Sequence, residues 1–262
     1  MDIVVCIKYV PETADISWDH ATGTLRREAA SGMLNHNDKH AIEAALQLRE
    51  AHGGSITAVS MGPPQAEDAL REALSMDVDT GVLISDPALA GADTLSTAYV
   101  LSLALKKMAG FDLIICGKET SDGMTGQVGP QIAEFLGIPQ LTYATEISIR
   151  NRMVRAKQKL EAFMRTLEAP LPALITVEKE LNRPRIPSMD RIMEAYREKE
   201  ITLWSAKDLL GTRERFGLKG SPTQIKSVYT KELKRGTATI LEGEPDELAG
   251  KLINILKLKG LL

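Results

Sequence analysis

The sequence predicts an open α/β fold: a mostly parallel sheet with helices on both faces. Two observations predict it. Short β-rich apolar runs alternate with helix-period segments through the first half of the chain, and each run is followed by a crossover long enough to return the chain parallel. The composition agrees, since 262 residues with 44% hydrophobic and 26% charged side chains can bury a large core and are neither disordered nor collagen-like.

The elements follow in order. Strands are expected at Ile3 to Lys8, Ser55 to Met61, Gly81 to Ser85 and Leu113 to Gly117, where β-branched and aliphatic residues run together. Between them, Asp38 to Ala51 places Ala41, Ala44, Ala45 and Leu48 on one helical face. Pro64 to Met76 does the same with Ala66, Ala69, Leu70 and Ala73, and Asp93 to Met108 with Thr97, Val100, Leu101 and Ala104. From about Tyr143 the pattern shifts to a small β excursion, with short strands at Glu146 to Ile149, Val154 to Gln158 and Phe163 to Leu167 and a turn at Arg150-Asn151-Arg152. Leu174 to Val177 is placed to rejoin the main sheet. A Pro-punctuated stretch, Leu181 to Pro187, precedes a short helix at Met189 to Arg197, then a weakly periodic region. Lys219 to Tyr229 reads as an extended excursion whose Ile225, Val228 and Tyr229 would want a partner, and Glu244 to Leu258 as a final helix. This gives an α/β domain over 1–218, with the excursion near 143–168, and a C-terminal arm and helix over 219–262.

Charge and composition exclude several functions. Thirty-two basic against 35 acidic residues give a net charge of −3, which attracts neither nucleic acid nor an anionic membrane. Aromatic residues at 4% offer no base-stacking platform. No window reaches the ~20 apolar residues of a membrane span, and no targeting segment is apparent, so a cytoplasmic protein is expected. Arg150 to Lys219 carries 16 basic and 10 acidic residues, which suits either a cationic patch for an acidic partner or a solvated mixed-charge face. Cys6 and Cys116 lie in strand-like runs and form no disulfide framework. His36 and His40 stand four apart with no nearby Cys or carboxylate pair, so no metal centre is expected, and no nucleophile elbow or triad is apparent.

Open parallel sheets bind ligands outside the carboxyl ends of their strands. The strongest local feature stands there: Gly117-Lys118-Glu119-Thr120-Ser121-Asp122-Gly123-Met124-Thr125-Gly126-Gln127-Val128-Gly129-Pro130, ahead of a helical pattern at Gln131 to Leu136. Its glycines allow a backbone to approach a ligand, and a helix start offers unpaired N–H groups to phosphate. Pro130 fits within a first helical turn, so the loop should end near Gly126. An ordinary capped βα loop is the alternative reading. The loop is neither a Rossmann fingerprint nor a Walker A sequence. A second constellation, Asn35-His36-Asn37-Asp38-Lys39, supplies an N-cap at Asn37 or Asp38, or side chains for an adenine or ribose edge.

These residues resemble a known family over nearly the whole chain. Val4 to Pro11, Asn35 to Leu46, Met61 to Ala66, Ala90-Gly91-Ala92-Asp93-Thr94, the glycine-rich loop and Glu180-Leu181-Asn182-Arg183-Pro184-Arg185 are together similar to the beta subunit of electron transfer flavoproteins, closest in pattern to the electron-bifurcating type. The resemblance implies an adenine nucleotide alpha hydrolase-like fold and a heterodimer whose alpha subunit carries an FAD. It implies a nucleotide site made of Cys6, Asn35, Asp38, Met61, Thr120, Asp122, Gly123, Met124, Thr125, Gly126, Gln127, Val128, Gly129 and Pro130. In the respiratory type this nucleotide is a structural AMP. In the bifurcating type it is a second FAD that takes electrons from NADH and sends them by way of the alpha-subunit FAD to an acyl-CoA dehydrogenase or similar flavin-dependent partner, and to ferredoxin or flavodoxin. Small residues at 123, 125 and 126 favour FAD over AMP, and any NADH oxidation would belong to the complex. The resemblance also makes the stretch near 179–190 a partner-recognition loop with Leu181 as its anchor. Arg183 stands where relatives usually carry Glu, and Met124-Thr125-Gly126 where bifurcating relatives usually carry Asp-Thr-Ala. No catalytic acid or base is assigned. A hydrolase or adenylating enzyme could use the same sheet and loop, but the His or Lys set of adenylate chemistry is missing.

Overall fold

The computed structural model describes residues 1–12, 18–19, 24–25, 32–108, 110–160, 162–224, 238 and 240–262. The expected excursion at Ile225, Val228 and Tyr229 lies outside these. Residues 1–226 and 227–262 are two compact units, a boundary eight residues beyond the end expected for the α/β domain.

In chain order the first unit contains β1 (Asp2–Ile7), β2 (Tyr9–Pro11), β3 (Trp18–Asp19), β4 (Thr24–Leu25), β5 (Gly32–Leu34), α1 (His36–His52), β6 (Ser55–Met61), α2 (Glu67–Ser75), β7 (Thr80–Ile84), α3 (Thr94–Met108), β8 (Leu113–Gly117) and α4 (Val128–Leu136). There follow β9 (Gln140–Arg150), β10 (Met153–Lys159), β11 (Met164–Pro170), β12 (Ala173–Val177), α5 (Met189–Arg197) and β13 (Ile201–Trp204). The second unit holds α6 (Pro245–Leu258).

Nine strands form one sheet in the order β11-β10-β9-β12-β8-β1-β6-β7-β13. Within this sheet the described strands pair in parallel from β9 through β13 in that order, and antiparallel in the β9-β10-β11 excursion. The strands of the parallel core are apolar on both sides because both sides are covered. On one face Ala41, Ile42 and Ala45 of α1, Leu70 and Leu74 of α2 and Ala195 of α5 pack on Ile3, Val5, Ile56 and Ile115. On the other, Val100, Ala104 and Leu105 of α3 and Ile132 and Ala133 of α4 pack on Val4, Val59, Ile114 and Leu174.

Three expectations are corrected. Helix α1 starts at His36, with Asn35 at the capping position and no side-chain cap bond, so neither Asn37 nor Asp38 is the cap. Asp38 is instead drawn inward, to the end of β1. Strand β13 arises in the region read as weakly periodic: Ile201-Thr202-Leu203-Trp204 is too short to show a period, and its pairing with β7 decides its conformation. The first excursion strand runs from Gln140, longer than the alternation at its far end suggests, because β12 pairs along its beginning.

Part of the basic surplus between Arg150 and Lys219 is paired within the chain. Arg152 meets Asp112 at 2.9 Å, Lys157 Glu146 at 2.8 Å, Arg185 both Glu43 and Glu50 at 2.8 Å, and Arg191 Asp77 at 2.7 Å. At these positions the surface is one of mixed charge.

Candidate functional site

The topology itself makes a crevice. From β1 the chain steps to β6 and β7 on one side, then α3 carries it across to β8 on the other side of β1. The order therefore reverses between β1 and β8, and their carboxyl ends part around a cleft of the kind that binds ligands in open sheets. Cys6 and Cys116 are register partners on these two strands, buried at the floor of that end. The hydrogen bond with Cys6, and then burial, push the Cys116 thiol well above its usual range, so it stays protonated.

Local folding delivers the side chains. Strands β2 and β5 form an antiparallel ladder, Tyr9 opposite Leu34, which brings Asn35 beside Lys8, and the Asn35 N–H donates to the Lys8 carbonyl at 3.0 Å. From there Asn35, itself buried, donates through Nδ2 to the Glu119 carbonyl at 3.0 Å and accepts from the Ser121 N–H at 3.3 Å. Asn37 Nδ2 donates to the same Glu119 carbonyl at 2.8 Å. Two amides thus hold the backbone of the loop after β8. Asp38 accepts from the Lys8 N–H at 2.8 Å through Oδ2. Burial pushes its carboxyl up to about 7 against the hydrogen bonds that lower it, so near neutrality it exchanges between two charge states.

The loop rises from Gly117, turns at Thr120, whose carbonyl accepts from the Met124 N–H at 2.9 Å, and reaches α4 at Val128. Gly126 takes φ +63, the left-handed region where glycine is preferred, and Met124 takes φ +47 at an exposed tip. Gly129 packs so tightly on β12 that a Cβ there would stand 2.7 Å from Thr176 Cγ2, seating the first turn of α4 against the sheet. Gln127 accepts from the Thr94 hydroxyl at 3.1 Å, joining α4 to the start of α3. Lys8 Nζ reaches across from β1 to both Asp122 oxygens, at 2.8 and 2.6 Å. Met61 ends β6, next to β1. The fourteen residues singled out in the sequence therefore lie at the ends of β1, β6 and β8, the start of α1 and the loop into α4.

A family model described as "Electron transfer flavoprotein domain" matches residues 22–209. The beta subunit of the electron transfer flavoprotein of Clostridium acetobutylicum is 42% identical over 257 residues, covering 98% of each chain. This chain belongs to the electron transfer flavoprotein beta-subunit family. Similar over its length are also the CarD subunit of the caffeyl-CoA reductase-Etf complex of Acetobacterium woodii, 40% identical over 263 residues and all of both chains, and protein FixA of Azorhizobium caulinodans, 40% identical over 262 residues, covering 97% of this chain and 92% of that one.

The crevice offers groups able to meet an anion and room beside them. The first turn of α4 has N–H groups at Val128 and Gly129 without intrahelical partners, the usual anion site of a helix start. The Gln131 Oε1 is buried there with no hydrogen-bond partner among the described residues. A Cβ at Gly123 would meet nothing nearer than Thr120 Oγ1 at 3.5 Å, so the loop leaves open space beyond Asp122.

Sequence reasoning missed Lys8, Asn37 and Gly117 as contributors. Each sits inside a segment already noted, but their roles depend on which strands become neighbours. Leu181 is half-buried against the core beside α1, while Ile186, five residues on, is 92% exposed. The stretch between them is fastened to α1: Asn182 Nδ2 donates to the His40 carbonyl at 3.0 Å, and Arg185 Nε donates to Glu43 at 2.8 Å. Among the described residues no helix is long and apolar enough to cross a membrane.

Proposed function

We propose that this chain is the beta subunit of a heterodimeric electron transfer flavoprotein that holds FAD in the β1/β8 crevice. In this reading it accepts electrons from NADH and delivers them, by way of the FAD of the alpha subunit, to a partner dehydrogenase and to ferredoxin or flavodoxin. The observation that carries the reading is the open turn at Gly123 to Gly126, with small residues at 123, 125 and 126, leading into the first N–H groups of α4. Bulkier acidic or amide side chains there would crowd the second phosphate of a dinucleotide. The CarD name, which places a relative in a caffeyl-CoA reductase complex, supports a dehydrogenase-type partner.

Bound FAD supplies hydride and single-electron chemistry through its isoalloxazine, and this chain supplies placement and field. Thr120, the loop backbone from Asp122 to Gly126 and the start of α4 would receive the phosphates, with Gln127, Val128, Gly129 and Pro130 forming the turn that aims the N–H groups. Asn35, Asp38, Cys6 and Met61 would line the adenosine end. Leu181 and the clamped loop that follows it would meet the partner dehydrogenase.

Co-expression with the alpha subunit, denaturation of the purified heterodimer and chromatography of the released nucleotides test the reading. Near two FAD and no AMP per dimer is expected. One FAD with one AMP would replace it with a conventional carrier whose beta nucleotide is structural, and no bound nucleotide beyond the alpha-subunit FAD would remove the assigned site.

A further inference from the structure

Two charges meet across the mouth of the crevice in a way that the family assignment does not explain. Lys8 leaves the end of β1 and Asp122 sits in the loop after β8, and the ammonium reaches both carboxylate oxygens. The Asp122 side chain is 14% exposed, yet burial is outweighed by the Lys8 charge and hydrogen bonds, and its carboxyl is held below the usual carboxylate range. It is therefore ionised at neutral pH, one residue before the open turn at Gly123.

The surroundings make that charge a problem for an anionic ligand. Asp38 lies on the other side of Lys8, accepting its N–H, and Glu119 belongs to the same loop. The nearby cations are already committed to acids of other elements, Lys118 to Glu178 at 3.0 Å and Lys39 to Glu72 at 2.6 Å. Lys8 also has little to do as a mechanical fastening. Asn35 and Asn37 already grip the Glu119 carbonyl, Asn35 the Ser121 N–H, and the Thr120 carbonyl closes the turn at Met124.

We propose that Lys8 is a specificity-determining residue of this crevice: its ammonium cancels the Asp122 carboxylate, so that the loop accepts the phosphates of a nucleotide instead of repelling them. The inference rests on the nucleotide reading of the site. It assigns Lys8 an electrostatic part, so the defect left by its removal is repaired by removing the opposing charge.

The test is a double-mutant cycle on the heterodimer with its alpha subunit, freed of beta-site nucleotide by a mild chaotrope and titrated calorimetrically with AMP, with ADP and, for the wild type, with FAD. Lys8→Gln is expected to weaken ADP binding about tenfold or more, and AMP binding less, because an uncompensated charge in a partly buried site acts strongly on a second phosphate. Lys8→Gln combined with Asp122→Asn is expected to return to within about threefold of the wild type. A double variant as weak as Lys8→Gln alone, or a Lys8→Gln protein that binds like the wild type, overturns the assignment while leaving the nucleotide site standing. A wild type that binds neither AMP, ADP nor FAD at this site overturns both. Should Lys8→Gln fail to fold, Asp122→Asn alone decides: binding of ADP at least as tight as in the wild type supports the role, and weaker binding overturns it.

Discussion

Gly117 lies so close to Asp38 that a Cβ on residue 117 would overlap the Asp38 Oδ1 and stand 2.8 Å from the Asn37 carbonyl carbon. The end of β8 and the start of α1 are thus in direct contact under the crevice, and only a residue without a side chain fits between them. Gly117→Ala must push backbone of α1, and it is expected to destabilise the protein by about 1–3 kcal/mol and to loosen the Asn35 and Asn37 grip on the loop. Thermal denaturation reads the first effect and nucleotide affinity the second. An unchanged midpoint would show that the contact relaxes at no cost.

Gly123 and Gly126 differ in what a substitution would do. Gly126 is in the left-handed region, where any side chain adds roughly 1 kcal/mol of backbone strain, whereas Gly123 faces open space without that constraint. Gly123→Asp is therefore the cleaner probe. It should expel the beta-site nucleotide from the heterodimer, leave the alpha-subunit FAD bound and keep the melting midpoint close to that of the wild type. Unchanged nucleotide content in this variant would sink the phosphate cradle.

Asp38 gives the fold a pH signature. Its carboxyl titrates at about 7 when folded against an ordinary 3.8, so between those values the native state holds more protons than the unfolded chain. Its contribution is complete below about pH 4 and is lost as pH rises to about 7, by at most about 4 kcal/mol. Asp38→Asn, which removes the titration, should flatten the pH dependence of stability across that window. Parallel stability curves for the two proteins between about pH 4 and pH 7 would refute it.

The Glu43–Arg185 pair ties the loop after β12 to α1. Glu43 is 5% exposed, and Arg185 Nε and its backbone N–H both donate to it, outweighing burial and keeping its carboxyl below the usual range. Arg185→Ala strands that buried carboxylate and should cost about 2–3 kcal/mol, somewhat under the figure for a fully buried pair because the arginine is one-third exposed. If the proposed function holds, affinity for a partner dehydrogenase should fall with it, and Leu181→Ala should lower that affinity without altering cofactor content. Calorimetric titration against the partner checks both, and unaltered affinity in the two variants would take the loop out of the interface.

The sequence by itself determined the parallel α/β core, because aliphatic runs and 3.6-residue faces are local signals that burial only reinforces. It also made the glycine-rich loop and the Asn35 to Lys39 segment legible as strand-end and helix-start features, and the fold brings the two together. Tertiary structure decided the rest. Whether Asp38 capped α1 or turned inward depended on Gly117 and Lys8 arriving beside it from two other strands. Whether Ile201 to Trp204 was a strand depended on the free edge of β7. The ion pair of Lys8 with Asp122 joins residues 114 apart in the chain, and nothing local to either foretells the other. Periodicity reports how one segment meets an average interior, whereas charge pairing, close approach and the titration of a buried acid depend on which particular neighbour the fold supplies.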